Sequence, residues 1–195
     1  DSGEFDTVVS TVQSTYFDVR GIKELRVNFT SDEFKIPVLI RFRTVKGQFV
    51  CKLSGLTVEE VKTVDSAPSP TPTPTIQPVA TPKPKATPEP YIDNQPLLRE
   101  LAFELGETLE YKVTSAGQET AKLILQAKER KRIKEIDTLV LTATVSSVSS
   151  ANRPFALSDS VIARVNPETL APQTSETKFA GQLAPFSQSI TFDPR

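Results

Sequence analysis

Residues 37–53 read PVLIRFRTVKGQFVCKL, and their pattern decides the fold class. Val38, Ile40 and Phe42 alternate with Leu39, Arg41 and Arg43, and Phe49, Cys51 and Leu53 alternate with Val50 and Lys52. Successive side chains of a strand point to opposite faces, so an apolar repeat of two marks strands with one buried face. Lys46-Gly47 between the two runs predicts a hairpin turn. Upstream, Leu25, Val27 and Phe29 alternate with Arg26 and Asn28, so three strands can share one face. Thr7 to Val12 predicts a further strand leading into that sheet.

The same repeat returns later in the chain. Leu109, Tyr111 and Val113 form one apolar run and Ala121, Leu123, Leu125 and Ala127 a second, with Ala116-Gly117-Gln118 turning between them. Leu139, Leu141, Ala143 and Val145 predict a third strand, Val161, Ala163 and Val165 a fourth, and Ile190 with Phe192 the end of a later one. Only Gln95 to Leu101 has a helical look, and LLRELAF is short enough to be irregular. The expected fold is mainly β: antiparallel meander sheets, as a curved sheet or open barrel, in two segments.

Between the segments, residues 66–90 read SAPSPTPTPTIQPVATPKPKATPEP. Proline fixes φ and removes a backbone donor, which excludes helix and central strand and favours polyproline II. At about 3.1 Å per residue this spacer reaches roughly 75 Å when extended. It reads first as a plain tether, with a PxxP ligand for a partner domain as the other reading. The expected division is a β segment at 1–65, a linker at 66–96 and a second β segment at 97–195.

Composition narrows the function. Lys and Arg total 23 against 24 for Asp and Glu, a formal charge of −1, so no field of one sign draws nucleic acid or anionic lipid. The longest apolar stretch falls far short of the ~20 residues that span a bilayer. Met is absent, so a processing event or boundary upstream of Asp1 is expected. With one cysteine, Cys51, there is no internal disulfide framework.

Histidine is absent too, which removes the commonest general base and zinc ligand together. Cys51 shares an apolar face with Phe49 and Leu53 and reads as a buried small hydrophobe rather than a nucleophile. There is no G-x-S-x-G elbow. Asp32-Glu33 and Glu59-Glu60 read as solvated turns, because neighbours in a strand point apart. The run 128–135, KERKRIKE, is interrupted by glutamates and has no aromatic for base stacking, so it reads as a basic hairpin loop rather than a phosphate grip. Asn28-Phe29-Thr30 matches a glycosylation sequon but falls inside a strand. No catalytic, cofactor-binding or metal-ligating residue is assigned, and no cofactor is expected.

Residues 97–193 carry Gly106-Glu107-x-Leu109-x-Tyr111, the turn at Gly117, Ser158-Asp159-Ser160, Asn166-Pro167-x-Thr169-Leu170-x-Pro172 and Phe192-Asp193. In this order they resemble the N-terminal half of a bacterial exported family known as domain of unknown function 3108. Residues 3–58, with Gly3-x-Phe5-Asp6-Thr7-Val8, Ser31-Asp32-Glu33-Phe34-Lys35-Ile36-Pro37-Val38 and Gly47-x-Phe49, resemble its C-terminal half. The halves stand in swapped order. The resemblance implies export to periplasm, cell surface or outside, and no catalytic residues. Each half alone exposes strand edges that need covering. Three arrangements are open: pairing within the chain, pairing between copies that builds a filament, or a fragment of a tandem-domain protein.

The expectation is therefore a non-catalytic exported structural or assembly module of the cell envelope or surface, a candidate filament subunit joined head to tail, with other copies of itself or the remainder of a tandem-domain protein as partners. The alternative is a module that binds lipid, lipoprotein or glycan, which predicts an apolar pocket lined by residues such as Tyr111, Leu125 and Phe155. Nucleic acid and membrane insertion are not expected.

Overall fold

A computed structural model of the chain describes residues 6–19, 21–65, 91–148, 159–180, 184–185 and 187–193. The hairpin of residues 37–53 forms as β3 (Pro37–Thr44) and β4 (Gly47–Val58). Its turn is Val45-Lys46, one residue earlier than Lys46-Gly47, with Thr44 facing Gly47. Gly47 has a φ of 120°, which side chains oppose, so glycine serves as the residue after the turn rather than inside it.

Ahead of this hairpin lie β1 (Thr7–Thr11), a single helical turn α1 (Thr15–Val19) and β2 (Lys23–Thr30). The link from β2 to β3 is an Asx turn. Asp32 Oδ1 accepts from the Thr30 hydroxyl at 2.7 Å and from the amides of Phe34 and Lys35, while the Ile36 amide donates to Thr30 Oγ1 at 2.9 Å. Asp32-Glu33 is thus a turn, as read, and Asp32 organises it.

After the spacer come β6 (Ile92–Asp93), β7 (Glu107–Ser115), β8 (Gln118–Ile133), β9 (Ile136–Ser147), β10 (Asp159–Val165), β11 (Pro172–Lys178) and β12 (Gln188–Thr191). The β7–β8 turn is Ala116-Gly117, with φ of 50° and 79°, both positive as a two-residue hairpin of this hand requires. The run 128–135 is not a loop. It continues β8 to Ile133, and only Lys134-Glu135 turns. Its cations tolerate a strand because several of them pair locally with glutamates, Lys131 with Glu129 at 2.7 Å and Arg132 with Glu135 at 3.4 Å. Gln95 to Leu101 contains no helix.

Among the described residues, ten strands form one antiparallel meander in the order β1-β2-β3-β4-β7-β8-β9-β10-β11-β12. The sheet is not closed. Its seam is β4 against β7, nine residue pairs from Phe49↔Ser115 to Val58↔Glu107. The two segments therefore pair within the chain and share a core: Phe49 and Cys51 pack with Leu109, Tyr111, Val113 and Ala121. The rings of Phe42 and Phe49 stack with centroids 5.3 Å apart. A separate ribbon pairs β5 (Val64–Asp65) with β6, so residues 65 and 92 are neighbours. Tyr91 to Pro96, expected in the linker, belong to the fold. The polyproline expectation for 66–90 lies outside the described residues.

Candidate functional site

Tyr111 shows that the sheet curls. Its hydroxyl donates to the carbonyl of Pro37 at 2.6 Å, although β4 stands between β7 and β3. Two strand spacings are about 9–10 Å in a flat sheet, so the face bearing Tyr111 is concave. Bulges at Leu53/Gly55 and Ala127/Glu129 supply the bend, since an extra residue kinks its strand and raises the twist.

Rows of directly opposed residues run across this face. Leu109, Leu125, Ala143 and Val161 form one row, and Ala127, Leu141 and Ala163 the next. Alanines at 127, 143 and 163 stand where their neighbours carry Leu or Val, so the wall is cut back and a hollow remains. Phe29 and Pro37 border it on the far side, and Ala102 and Phe103 from the segment before β7 border it below. The cavity measures about 420 Å³, within the ~300–1,000 Å³ common for small-molecule sites. Leu125 lines it, as the sequence predicted. Tyr111 lies fully buried in the adjoining core, and Phe155 falls outside the described residues.

Few polar groups reach the cavity. Lys35 lies at its border but is exposed, its ammonium donating to the Ser31 carbonyl at 2.7 Å. Glu107 is a second, and burial raises its carboxyl above the usual range. Asp159 stands on the same face one step beyond Val161, opposite Val145, and is 3% exposed.

Where the concave face ends, β8 and β9 carry a different constellation. Arg130 grips Asp137 through Nη2–Oδ2 at 2.6 Å and Nε at 3.2 Å, and donates through Nη1 to the Pro96 carbonyl at 2.7 Å. The Tyr91 hydroxyl donates to Asp137 Oδ1 at 2.6 Å, and the Arg132 guanidinium lies 5.1 Å from the Tyr91 ring centroid. Burial alone would raise the Asp137 carboxyl, but the Arg130 and Tyr91 hydrogen bonds outweigh it and hold it below the usual range. Burial, then the bond to Asp137, pushes Tyr91 up to about 12. Asn94 closes the arrangement by exchanging backbone and side-chain bonds with Arg130. Sequence reading missed this cluster, because only the bulge after Ala127 turns Arg130 onto the same side as Leu139.

Cys51 is 4% exposed, and burial pushes its thiol up to about 11, which leaves little thiolate. Glu59 and Glu60 follow β4, and the sequon Asn28 lies within β2 with its amide donating to Thr7 Oγ1 at 3.2 Å. Among the described residues, no group of three or more potential ligands is placed to hold a metal ion, and no helix is long and apolar enough to cross a membrane.

Comparison of the chain with protein-family models, with curated proteins and with solved structures finds no match.

Proposed function

We propose that this chain is a non-catalytic, exported binding module that holds the apolar chain of a lipid or lipoprotein in the hollow of its curved sheet. The observation that carries the reading is the 420 Å³ cavity walled by Leu109, Leu125, Leu141 and Val161 and hollowed by three alanines. A monomeric protein gains nothing in stability from an unfilled apolar hollow, whose lining forfeits dispersion contacts. Occupancy by a ligand explains why the hollow is kept. The export context rests on the resemblance of the two half domains to the exported family, carried by the quoted residues alone.

Native mass spectrometry and calorimetry with a series of single-chain amphiphiles test this. Each buried methylene contributes about 0.8 kcal/mol, roughly fourfold in affinity. Affinity should climb by that factor per carbon and then level off once the hollow is full. A series with no dependence on chain length, or no binding at any length, overturns the proposal.

A second reading retains the assembly role. The β4–β7 seam joins residues on either side of the proline-rich spacer, so the same ladder can form between copies by exchange, and repeated exchange gives a filament. Light scattering coupled to size exclusion decides it: a mass that stays monomeric at high concentration removes the filament.

A further inference from the structure

The formal charge of −1 hides how the cations are placed. On the outer face of the curved sheet, away from Cys51, Tyr111 and Val113, Lys52 of β4 stands directly opposite Lys112 of β7, and Lys112 directly opposite Lys122 of β8. Leu39 faces Lys52, and two residues further along β3, on the same face, Arg41 stands opposite Arg26 of β2. Like charges in direct opposition destabilise a sheet, and here they recur at three strand contacts. Glu110 answers Lys122 at 2.6 Å, and Glu24 answers Arg43, next along β3, at 3.4 Å. Glu119, opposite Thr114, lies at the hairpin end of the patch. Arg26, Arg41, Lys52 and Lys112 are exposed, and among the described residues their side chains have no ion pair or hydrogen bond. An anion laid across this face removes the repulsion that the fold leaves in place.

We infer that this outer face docks a linear acidic polysaccharide, whose carboxylates sit on Lys52, Lys112 and Arg41. The inference is independent of the hollow, which opens on the other face. Neighbouring strands lie about 4.8 Å apart, and a polyuronate carries one carboxylate per sugar ring, a repeat of similar length. The row across β4, β7 and β8 therefore meets successive charges of one extended chain. Asn28, Gln48 and Thr114 stand on the same face beside the cations and suit the sugar hydroxyls. A single-stranded nucleic acid fits less well, because these strands present no aromatic side chain on the outer face for a base to stack on. An anionic bilayer fits less well too. The side chains between the cations offer no exposed large apolar group to enter it.

The test titrates the full chain into four labelled probes: an oligogalacturonate, a dextran of equal length, a single-stranded oligonucleotide and phosphatidylglycerol vesicles. The oligogalacturonate should bind at least tenfold more tightly than any of the others, and its affinity should fall as salt is raised, since exposed charges are screened. The double variant Lys52→Gln, Lys112→Gln should lose at least tenfold of that affinity. It should also unfold at the same or a higher urea concentration, because it relieves a like-charge contact. The charge-matched variant Lys62→Gln, Lys178→Gln, altered away from the row, should bind as the native chain does. Equal losses in the two double variants would reduce the effect to overall charge and overturn the site. So would unchanged affinity in Lys52→Gln, Lys112→Gln. Tighter binding of the oligonucleotide or the vesicles overturns the choice of polysaccharide and hands the face to a phosphate-bearing partner. No binding by any of the four probes overturns the docking role entirely.

Discussion

The concave face has two regions built on the same strands, and they solve burial in opposite ways. Around Leu125, Ala143 and Val161 the side chains are short and apolar and leave a cavity. A few residues further along β8 and β9, Arg130 and Asp137 reach across the face, and each is bonded to the other and to the incoming chain at Tyr91 and Pro96. The bulge after Ala127 makes the difference: without it, Glu129 and Lys131 would share the face of Ala127, and Arg130 would point away. The lesson is that polar density is a poor guide to where the sheet leaves room for the proposed ligand. The polar end has spent its donors on itself and closes the fold, while the apolar end has room.

The largest expected effect lies where these regions meet. Gly106 has a φ of 87°, and a Cβ there would stand 2.1 Å from the Glu59 carbonyl oxygen and 2.9 Å from Val61 Cγ2. Gly106→Ala must displace the backbone that joins the crossing segment to β7. The expected loss is roughly 3 kcal/mol or more in urea denaturation. A midpoint near that of the native chain would mean the end of β4 does not pack there.

Next comes the polar end. Asp137→Asn removes the charge that Arg130 grips, for an expected loss of about 2 kcal/mol. The pH dependence has a definite sign. Because the Asp137 carboxyl is held below its ordinary value, its contribution is complete above the unfolded pKa of about 3.9 and is lost as pH falls through the lower folded value. Native stability should therefore fall below about pH 4, and the Asn variant should show a shallower fall. Ligand affinity measured at neutral pH should be unchanged, which separates this end from the hollow. An affinity that drops with Asp137→Asn would erase the distinction between the two regions.

Filling the hollow should do the reverse. Ala143→Phe places a ring where the wall is cut back. Affinity for a long-chain amphiphile should fall at least tenfold, with stability changing by only about 1 kcal/mol in either direction. Unchanged affinity would place the ligand elsewhere.

How much of this was legible depended on alternation. β3, β4, β7, β8, β9 and β10 announce themselves because each carries apolar residues at every second position. β11, PQTSETK, has none, so pattern alone passes over it, and the five-residue α1 is too short to show a period. The pairing of β4 with β7 is a long-range contact that neither strand encodes by itself. The hollow was half visible: Leu125 was named, but the signal lay in Ala127, Ala143 and Ala163, whose small size matters only once the register sets them side by side. The Tyr91–Asp137–Arg130 cluster was hidden by a bulge that shifts side chains by one position, which a strict period of two misassigns.

The smallest effect concerns no stability at all. Cys51 sits on β4 opposite Val113, the third of the nine pairs that make the seam between the two segments. With its thiol raised to about 11, only about one molecule in a thousand carries thiolate at pH 8, and burial bars the reagent as well. Alkylation in native buffer should therefore run at least a hundredfold slower than in urea, and its rate should follow global unfolding as denaturant is added. Fast labelling with the circular dichroism spectrum intact would mean that β4 parts from β7 while the rest of the sheet holds. That opening is the step an exchange between copies requires, so the rate at one thiol distinguishes a closed binding module from a chain that can link to its neighbours.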